Sequence, residues 1–301
     1  MITTEKLLQR QKLIDDIGIN KASEVLKVKK ETLERGIREL ARISKLKETK
    51  LKVLVLDIET APSRAYVWNF WKANIGKDQV ISDWFMISWA AKWLNNPDVM
   101  SDVLTPSEAK DEDDSRISAS IHSLLDEADV VIAHNAKKFD LPKLNTRFLL
   151  NKLPKPSPYQ TIDTLLVARK QFGFNSNSLD SICRQLNIDG KVDTGGMSLW
   201  TRCMAGDEYA LKDMLQYNEN DVIILEDVYD AIKGWIPNHP RLYGDVLGDT
   251  CEVCGSKHIV ENGEYRTTVN KYKSYSCLSC GSSLKDRNNS SNNSELTVCA
   301  R

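Results

Sequence analysis

Residues Val53 to Thr60 read VLVLDIET. Four successive apolar residues, alternating Val and Leu, predict a strand buried on both faces. Alternate side chains of a strand share a face, so Asp57 and Glu59 point the same way at its end. Two carboxylates side by side there are costly unless a cation lies between them. The plain alternative is that one caps a turn and the other meets solvent.

Working outward, residues 51–240 read as one α/β domain. Strands are expected at Trp84 to Trp93, Val99 to Leu104 and Asp129 to Ala133. Helical spacing covers Ile117 to Glu127, Leu141 to Asn151, Thr164 to Gln171, Leu179 to Leu186 and Asp207 to Lys233. The acidic run Glu108 to Asp114 reads as a solvated loop. His134-Asn135-Ala136-Lys137-Lys138-Phe139-Asp140 follows the third of these strands. Asp140 precedes Leu141-Pro142, so a helix cap is its simplest role. Inside the last helix lies Tyr217-Asn218-Glu219-Asn220-Asp221-Val222. Tyr217 and Asp221 are four residues apart and share a helix face, close to the apolar stripe of Met214, Leu215, Ile224, Leu225 and Val228.

Asp-x-Glu on a first strand, Asp after a later strand, then Tyr-x-x-x-Asp on a late helix resembles the DEDD exonuclease superfamily, DnaQ-like and with a ribonuclease-H-like fold. The tyrosine points to its DEDDy branch, because Gln216 stands where the histidine-using branch carries its base. The stretch Gly195-Gly196-Met197-Ser198-Leu199-Trp200, YNENDV and His239-Pro240 look like a phage-borne group of predicted exonucleases. The resemblance implies a ribonuclease-H-like mixed sheet flanked by helices. It also implies a catalytic set of Asp57, Glu59, Asp140, Tyr217 and Asp221.

In that pattern two Mg²⁺ or Mn²⁺ ions activate the attacking water and stabilise the leaving 3′-oxygen. Oxygen-only ligands suit those ions better than zinc. Asp57 would bridge both ions, Glu59 and Asp221 would hold one, and Asp140 would support the other through water. Tyr217 would orient the water, since a phenol of ordinary pKa is a poor base at neutral pH. Thr60 and Asn135 would meet the terminal nucleotide, and Lys137, Lys138 and Phe139 would meet phosphate and base. Asp163 is a rival acid, read as a helix cap or as a support behind the metal ligands.

Cys251-Glu-Val-Cys254-Gly and Cys277-Leu-Ser-Cys280-Gly are two knuckles in residues 241–283. Four thiolates make a closed tetrahedral zinc site of the zinc-ribbon type, structural in role. The alternative is redox pairs or disulfides, which a reducing cytoplasm disfavours. Tyr265, Arg266, Lys271, Tyr272, Lys273 and Tyr275 between the knuckles suit nucleic acid or a solvated hairpin. Cys183, Cys203 and Cys299 carry no spacing signal. Residues 284–301, rich in Asn and Ser, are expected to be a disordered tail.

Residues 1–48 read as helices broken at Gly18, with Leu7, Leu8, Leu13, Ile14 and Ile17 in one stripe and Ala22, Val25 and Leu26 in the next. A turn at Val28 and a further helix with Leu33, Ile37 and Leu40 resemble a helix-turn-helix, and a helical hairpin is the alternative. Lys45 to Lys50 reads as a linker or helix end. Residues 1–50 hold 13 Lys+Arg against 8 Asp+Glu, whereas residues 51–240 hold 20 against 27. A basic head on an acidic body favours a nucleic-acid partner.

The 301 residues, 41% hydrophobic and 28% charged, exclude wholesale disorder, collagen and a disulfide miniprotein. No apolar run approaches the ~20 residues of a membrane helix. MITTEKLLQRQK has no apolar stretch after its charges, so no signal peptide is expected. The expected location is the cytoplasm, the host's if the chain is phage-encoded. The expected function is a metal-dependent 3′→5′ exonuclease on single-stranded DNA 3′ ends, with a replication or recombination protein as the class of partner. The alternatives are an RNA exonuclease of the same chemistry and a catalytically silent DNA-binding or zinc adaptor protein.

Overall fold

The strand β1 (Val53–Thr60) lies at the centre of a five-stranded sheet, and Val53 to Leu56 are fully buried. The computed structural model describes residues 4–44, 51–71, 73–188, 196–243, 250–268 and 270–286. The expected linker 45–50, Gly195, and residues 287–301 of the expected tail, with Cys299, lie outside them.

Three helices come first: α1 (Thr4–Ile17), α2 (Ile19–Leu26) and α3 (Lys30–Ser44). Gly18 breaks α1 from α2 at φ 79°, and Lys27 turns the chain at φ 52°. The helices pack together with Ala22 and Leu33 buried. Val25 departs from the expected stripe and is exposed.

After β1, the pair β2 (Arg64–Ala65) and β3 (Val80–Ser82) forms a separate small sheet. Then follow β4 (Met86–Trp93), β5 (Val99–Val103), α4 (Pro106–Asp111), α5 (Ser115–Glu127), β6 (Val130–Ala133) and α6 (Asp140–Leu150). The domain continues with β7 (Gln160–Asp163), α7 (Thr164–Gln171), α8 (Leu179–Leu186), α9 (Met197–Met204) and the long α10 (Glu208–Ile232). The sheet order is β5-β4-β1-β6-β7, antiparallel from β5 to β1 and parallel from β1 to β7. This is the mixed sheet that the resemblance implies. Leu54, Leu56 and Ile58 pack towards α5 and α6; Val53 and Val55 pack towards α7, α8 and the second half of α10.

The structure corrects the reading of Glu108 to Asp114 as a loop, since Pro106–Asp111 is helical. Thr105 and Glu108 form a reciprocal cap there, with Pro106 in the first turn, and this local chemistry outweighs the acidic run. The strand β7 and helix α9 were not expected. The last of the described residues form a three-stranded sheet of β8 (Ile259–Arg266), β9 (Lys271–Cys277) and β10 (Ser283–Lys285). The expected tail therefore starts too early at 284: Leu284 pairs with Tyr275. Among the described residues no helix is long and apolar enough to cross a membrane.

The cysteine unit sits on the domain at the N-terminal end of β1. Leu54 pairs with Trp93 near that end, and Asn95 just beyond donates to the Tyr243 hydroxyl at 3.0 Å. Arg241 pairs with Glu252 at 2.9 Å. Gly234 lies so close to the Cys280 carbonyl that an added Cβ would meet its oxygen at 2.0 Å. Gly234→Val should therefore unseat the cysteine unit at a cost of about 1–3 kcal/mol, the range of overpacking. Thermal unfolding should start several degrees lower; an unchanged profile would mean that this seat contributes nothing.

Candidate active site

At the C-terminal end of β1, carboxylate oxygens of Asp57, Glu59 and Asp221 lie within 4.8 Å of one another. Strand alternation puts Asp57 and Glu59 on one face, and α10 brings Asp221 to them. Asp207 caps α10 by accepting from the backbone N–H groups of Tyr209 and Ala210. Tyr217, Asn218 and Asp221 follow about two and a half to four turns on, all nearly inaccessible.

Asn218, given no role from sequence, is fully buried. Its Nδ2 donates to Asp57 Oδ2 at 2.6 Å, and its Oδ1 accepts from Ser88 Oγ at 3.0 Å. Its place three residues before Asp221 is the signal that could have found it. Tyr217 is only 4% exposed and packs edge-on to Trp200. Burial, then Asp221, Glu59 and Asp57, push its hydroxyl pKa far up, and the hydroxyl bonds to Asp221.

Asp140 opens α6 as its first helical residue, while Phe139 holds the cap position, so Asp140 is not the cap. It is 1% exposed and its Oδ2 has no hydrogen-bond partner among the described residues. Burial first, then the nearby Asp163, holds its carboxyl well above the usual range. Asp163 is the brace of the preceding turn. It accepts from the backbone N–H groups of Asn135 at 3.2 Å, Lys137 at 3.0 Å and Leu166 at 3.2 Å, the last as the cap of α7. His134 is also a brace, with Nδ1 at 2.9 Å from Thr164 Oγ1 and Nε2 at 2.9 Å from the Asn177 carbonyl.

Beside the carboxylates lies a cleft of about 550 Å³, within the range of a site for one small organic ligand; Tyr217, Asn218 and Asp163 sit behind its walls and do not line it. Asp57, Glu59, Asp140 and Asp221 line it, with Asn135 and Phe139 on its wall. Thr60 and Lys137 do not line it. Thr60 accepts from Lys143 Nζ at 3.1 Å instead, and the Lys137 side chain is exposed. Arg169 and the Asn175–Ser178 loop complete the wall, unanticipated from sequence. Arg169 brings a cation to the rim that neither its spacing nor its neighbours announce.

The donor chemistry separates two metal sites. Three carboxylates around one point fit hard cations such as Mg²⁺ or Mn²⁺; Asp140, with its orphaned buried oxygen, stands outside that group and lines the same cleft. Cys251, Cys254, Cys277 and Cys280 form the second cluster. The sulfurs of Cys251 and Cys280 are 3.7 Å apart, and those of Cys254 and Cys277 3.6 Å. A tetrahedron of Zn–S bonds near 2.3 Å separates its sulfurs by about 3.8 Å, so the cluster fits a zinc ribbon.

Residues 54–233 match the model of the family RNase_H_2, of the RNase_H superfamily. No curated protein matches the chain. Among solved structures, the family B DNA polymerase from the hyperthermophilic archaeon Pyrobaculum calidifontis is similar over 61% of this chain and 25% of that one, at 16% identity and a TM-score of 0.45. The chain thus spans about a quarter of that polymerase's length. The family match and the carboxylate cluster together support a nuclease, a phosphodiester hydrolase whose substrate is nucleic acid. The matched residues run from β1 through the cleft to the end of α10, and the chain belongs to the RNase_H superfamily.

Proposed function

We propose that this protein is a metal-dependent 3′→5′ exonuclease of the DEDDy type, acting on single-stranded DNA ends. The observation that carries the reading is the joining of Asp57, Glu59 and Asp221 within 4.8 Å beside the buried Tyr217. Asp57, Glu59, Asp221 and Asp140 would hold two Mg²⁺ or Mn²⁺ ions. When bound, such ions supply Lewis acidity and neutralise charge at phosphorus. In the hydrolysis a water oxygen bonds to the phosphorus of the last nucleotide and the bond to the neighbouring 3′-oxygen breaks. That oxygen takes up the water's proton, and a nucleoside 5′-monophosphate leaves. Tyr217, bonded to Asp221, orients the water. Asn218 fixes the Asp57 carboxylate, and the turn braced by Asp163 presents Asn135 and Phe139 to the terminal nucleotide. The four cysteines hold one structural Zn²⁺ in the unit 241–283. The basic helices of residues 1–48 are a second nucleic-acid contact, with a replication or recombination protein as the expected partner class.

The reading is tested with end-labelled DNA and RNA strands in Mg²⁺ or Mn²⁺. Asp57→Asn and Asp221→Asn should each remove most cleavage while the fold persists, because each deletes a ligand charge. Full activity in both variants would sink the assignment, and cleavage of RNA alone would change the substrate. Tyr217→Phe keeps the ring against Trp200 and removes only the hydroxyl. Its kcat should fall roughly 10²-fold or less, with Mn²⁺ affinity hardly changed; collapse of metal binding would give Tyr217 another role. Asn218→Ala frees Asp57 from its donor and should weaken Mn²⁺ binding, read by calorimetry, by about 10–100-fold. Binding equal to that of the unmodified chain would reduce Asn218 to packing.

A further inference from the structure

Tyr66, Trp68, Phe70 and Trp71 are 73%, 96%, 92% and 86% exposed. Burying one such side chain is worth about 1.5–3 kcal/mol, so four left in solvent within six residues mark an interaction surface. The root of this excursion fixes where it stands. Thr60 pairs with Met86, and the Ala61 N–H donates to the Phe85 carbonyl at 2.9 Å. The chain therefore leaves and re-enters the sheet at the end that carries Asp57 and Glu59. The pairing of Arg64 with Ser82 and of Ala65 with Val80 stiffens its base.

Between cleft and root the side chains form a continuous row. Phe139 lines the cleft, and Lys143 Nζ lies 5.1 Å from the centre of its ring. The same Nζ lies 3.9 Å from the centre of the Trp84 ring, next to the root, and donates to Thr60. A cation flanked by aromatic faces, followed by further exposed rings, matches an unpaired strand. Bases stack on rings and phosphate meets the ammonium.

We propose that Tyr66 to Trp71 is a stacking platform for unpaired nucleotides of the strand whose end enters the cleft. This rests on the nuclease reading of that cleft, and its test separates the two. The full chain and the triple variant Trp68→Ala, Phe70→Ala, Trp71→Ala are titrated with labelled oligothymidylate of about 3 and about 16 nucleotides in buffer without added Mg²⁺ or Mn²⁺, spanning the usual single-strand site sizes. The triple variant should lose about 100-fold in affinity for the long strand, as for two stacked bases, and nothing for the short one. Trp68→Tyr with Trp71→Tyr keeps ring faces and should retain affinity within a few-fold. Equal long-strand affinity in the triple variant and the unmodified chain would overturn the proposal. So would self-association lost in the triple variant with strand affinity unchanged, which would give the surface to a second copy. Cleavage of the short strand in Mn²⁺ reports on the cleft alone. Aromatic-dependent binding without cleavage would uphold the platform and sink the nuclease reading, whereas cleavage with aromatic-independent binding would do the reverse.

Discussion

Three carboxylates, two from the end of one buried strand and one from α10, bring their oxygens within 4.8 Å of one another. At that separation two unit charges repel by about 3.5 kcal/mol at an effective dielectric near 20. One such pair is a sizeable part of the ~5–15 kcal/mol by which domains are stable. The strand carries the load because Val53, Leu54, Val55 and Leu56 are all buried at its other end, at about 1.5–3 kcal/mol each. The same strand thus supplies both the apolar anchor and the charge that calls for cations. Asp140 adds a carboxyl that burial pushes towards the neutral form, and a cation nearby would oppose that push.

The parts legible in the sequence were those with a strong local signal. VLVL gave a strand, the 3.6-residue period gave α5, α7, α8 and α10, and the order of the acids gave the cleft. The parts that were not legible depend on distant pairings. Gln160–Asp163 is four residues long and polar at both ends, so only its place beside β6 makes it a strand. Asn218 meets Asp57 across 161 residues and Ser88 across 130, which no local pattern carries. The resemblance puts Thr60 and Lys137 at the substrate. Here Thr60 is occupied by Lys143, and Lys137 turns out while its N–H serves Asp163. The reading of Glu108 to Asp114 weighed charge over capping, although Thr105, Pro106 and Glu108 held the signal for a helix start.

The two metal-fitting clusters stand at opposite ends of β1. The carboxylates lie at its C-terminal end, and the cysteine unit seats beside Asn95, next to its N-terminal end. A closed set of four sulfurs leaves no position for substrate, and the sheet separates it from the cleft. The division is thus between a carboxylate end with the cleft and a cysteine end. The exposed aromatics belong to the first, because their segment springs from the last rung of β1 and β4.

What keeps those ends in register is α10. Near the cleft, Asn218 joins it to Asp57 and Ser88, and Glu219 accepts from Ser101 Oγ at 2.6 Å. Two turns later the fully buried Glu226 meets Lys92 at 2.5 Å and accepts from the Asn95 N–H at 2.7 Å. Lys92 is the one charged residue of β4, and this is the partner that permits it. Breaking a buried pair on one side costs about 3–5 kcal/mol, because the other charge is stranded. That penalty works as a ruler. A slip of one residue along α10 advances it about 1.5 Å and turns it about 100°. Such a slip would strand Glu226 and Lys92 together and take Asn218 from Asp57. It would also swing Asp221 away from Glu59. The polar pairs buried between helix and sheet therefore specify one register, and only in that register do the carboxylates of β1 and α10 converge.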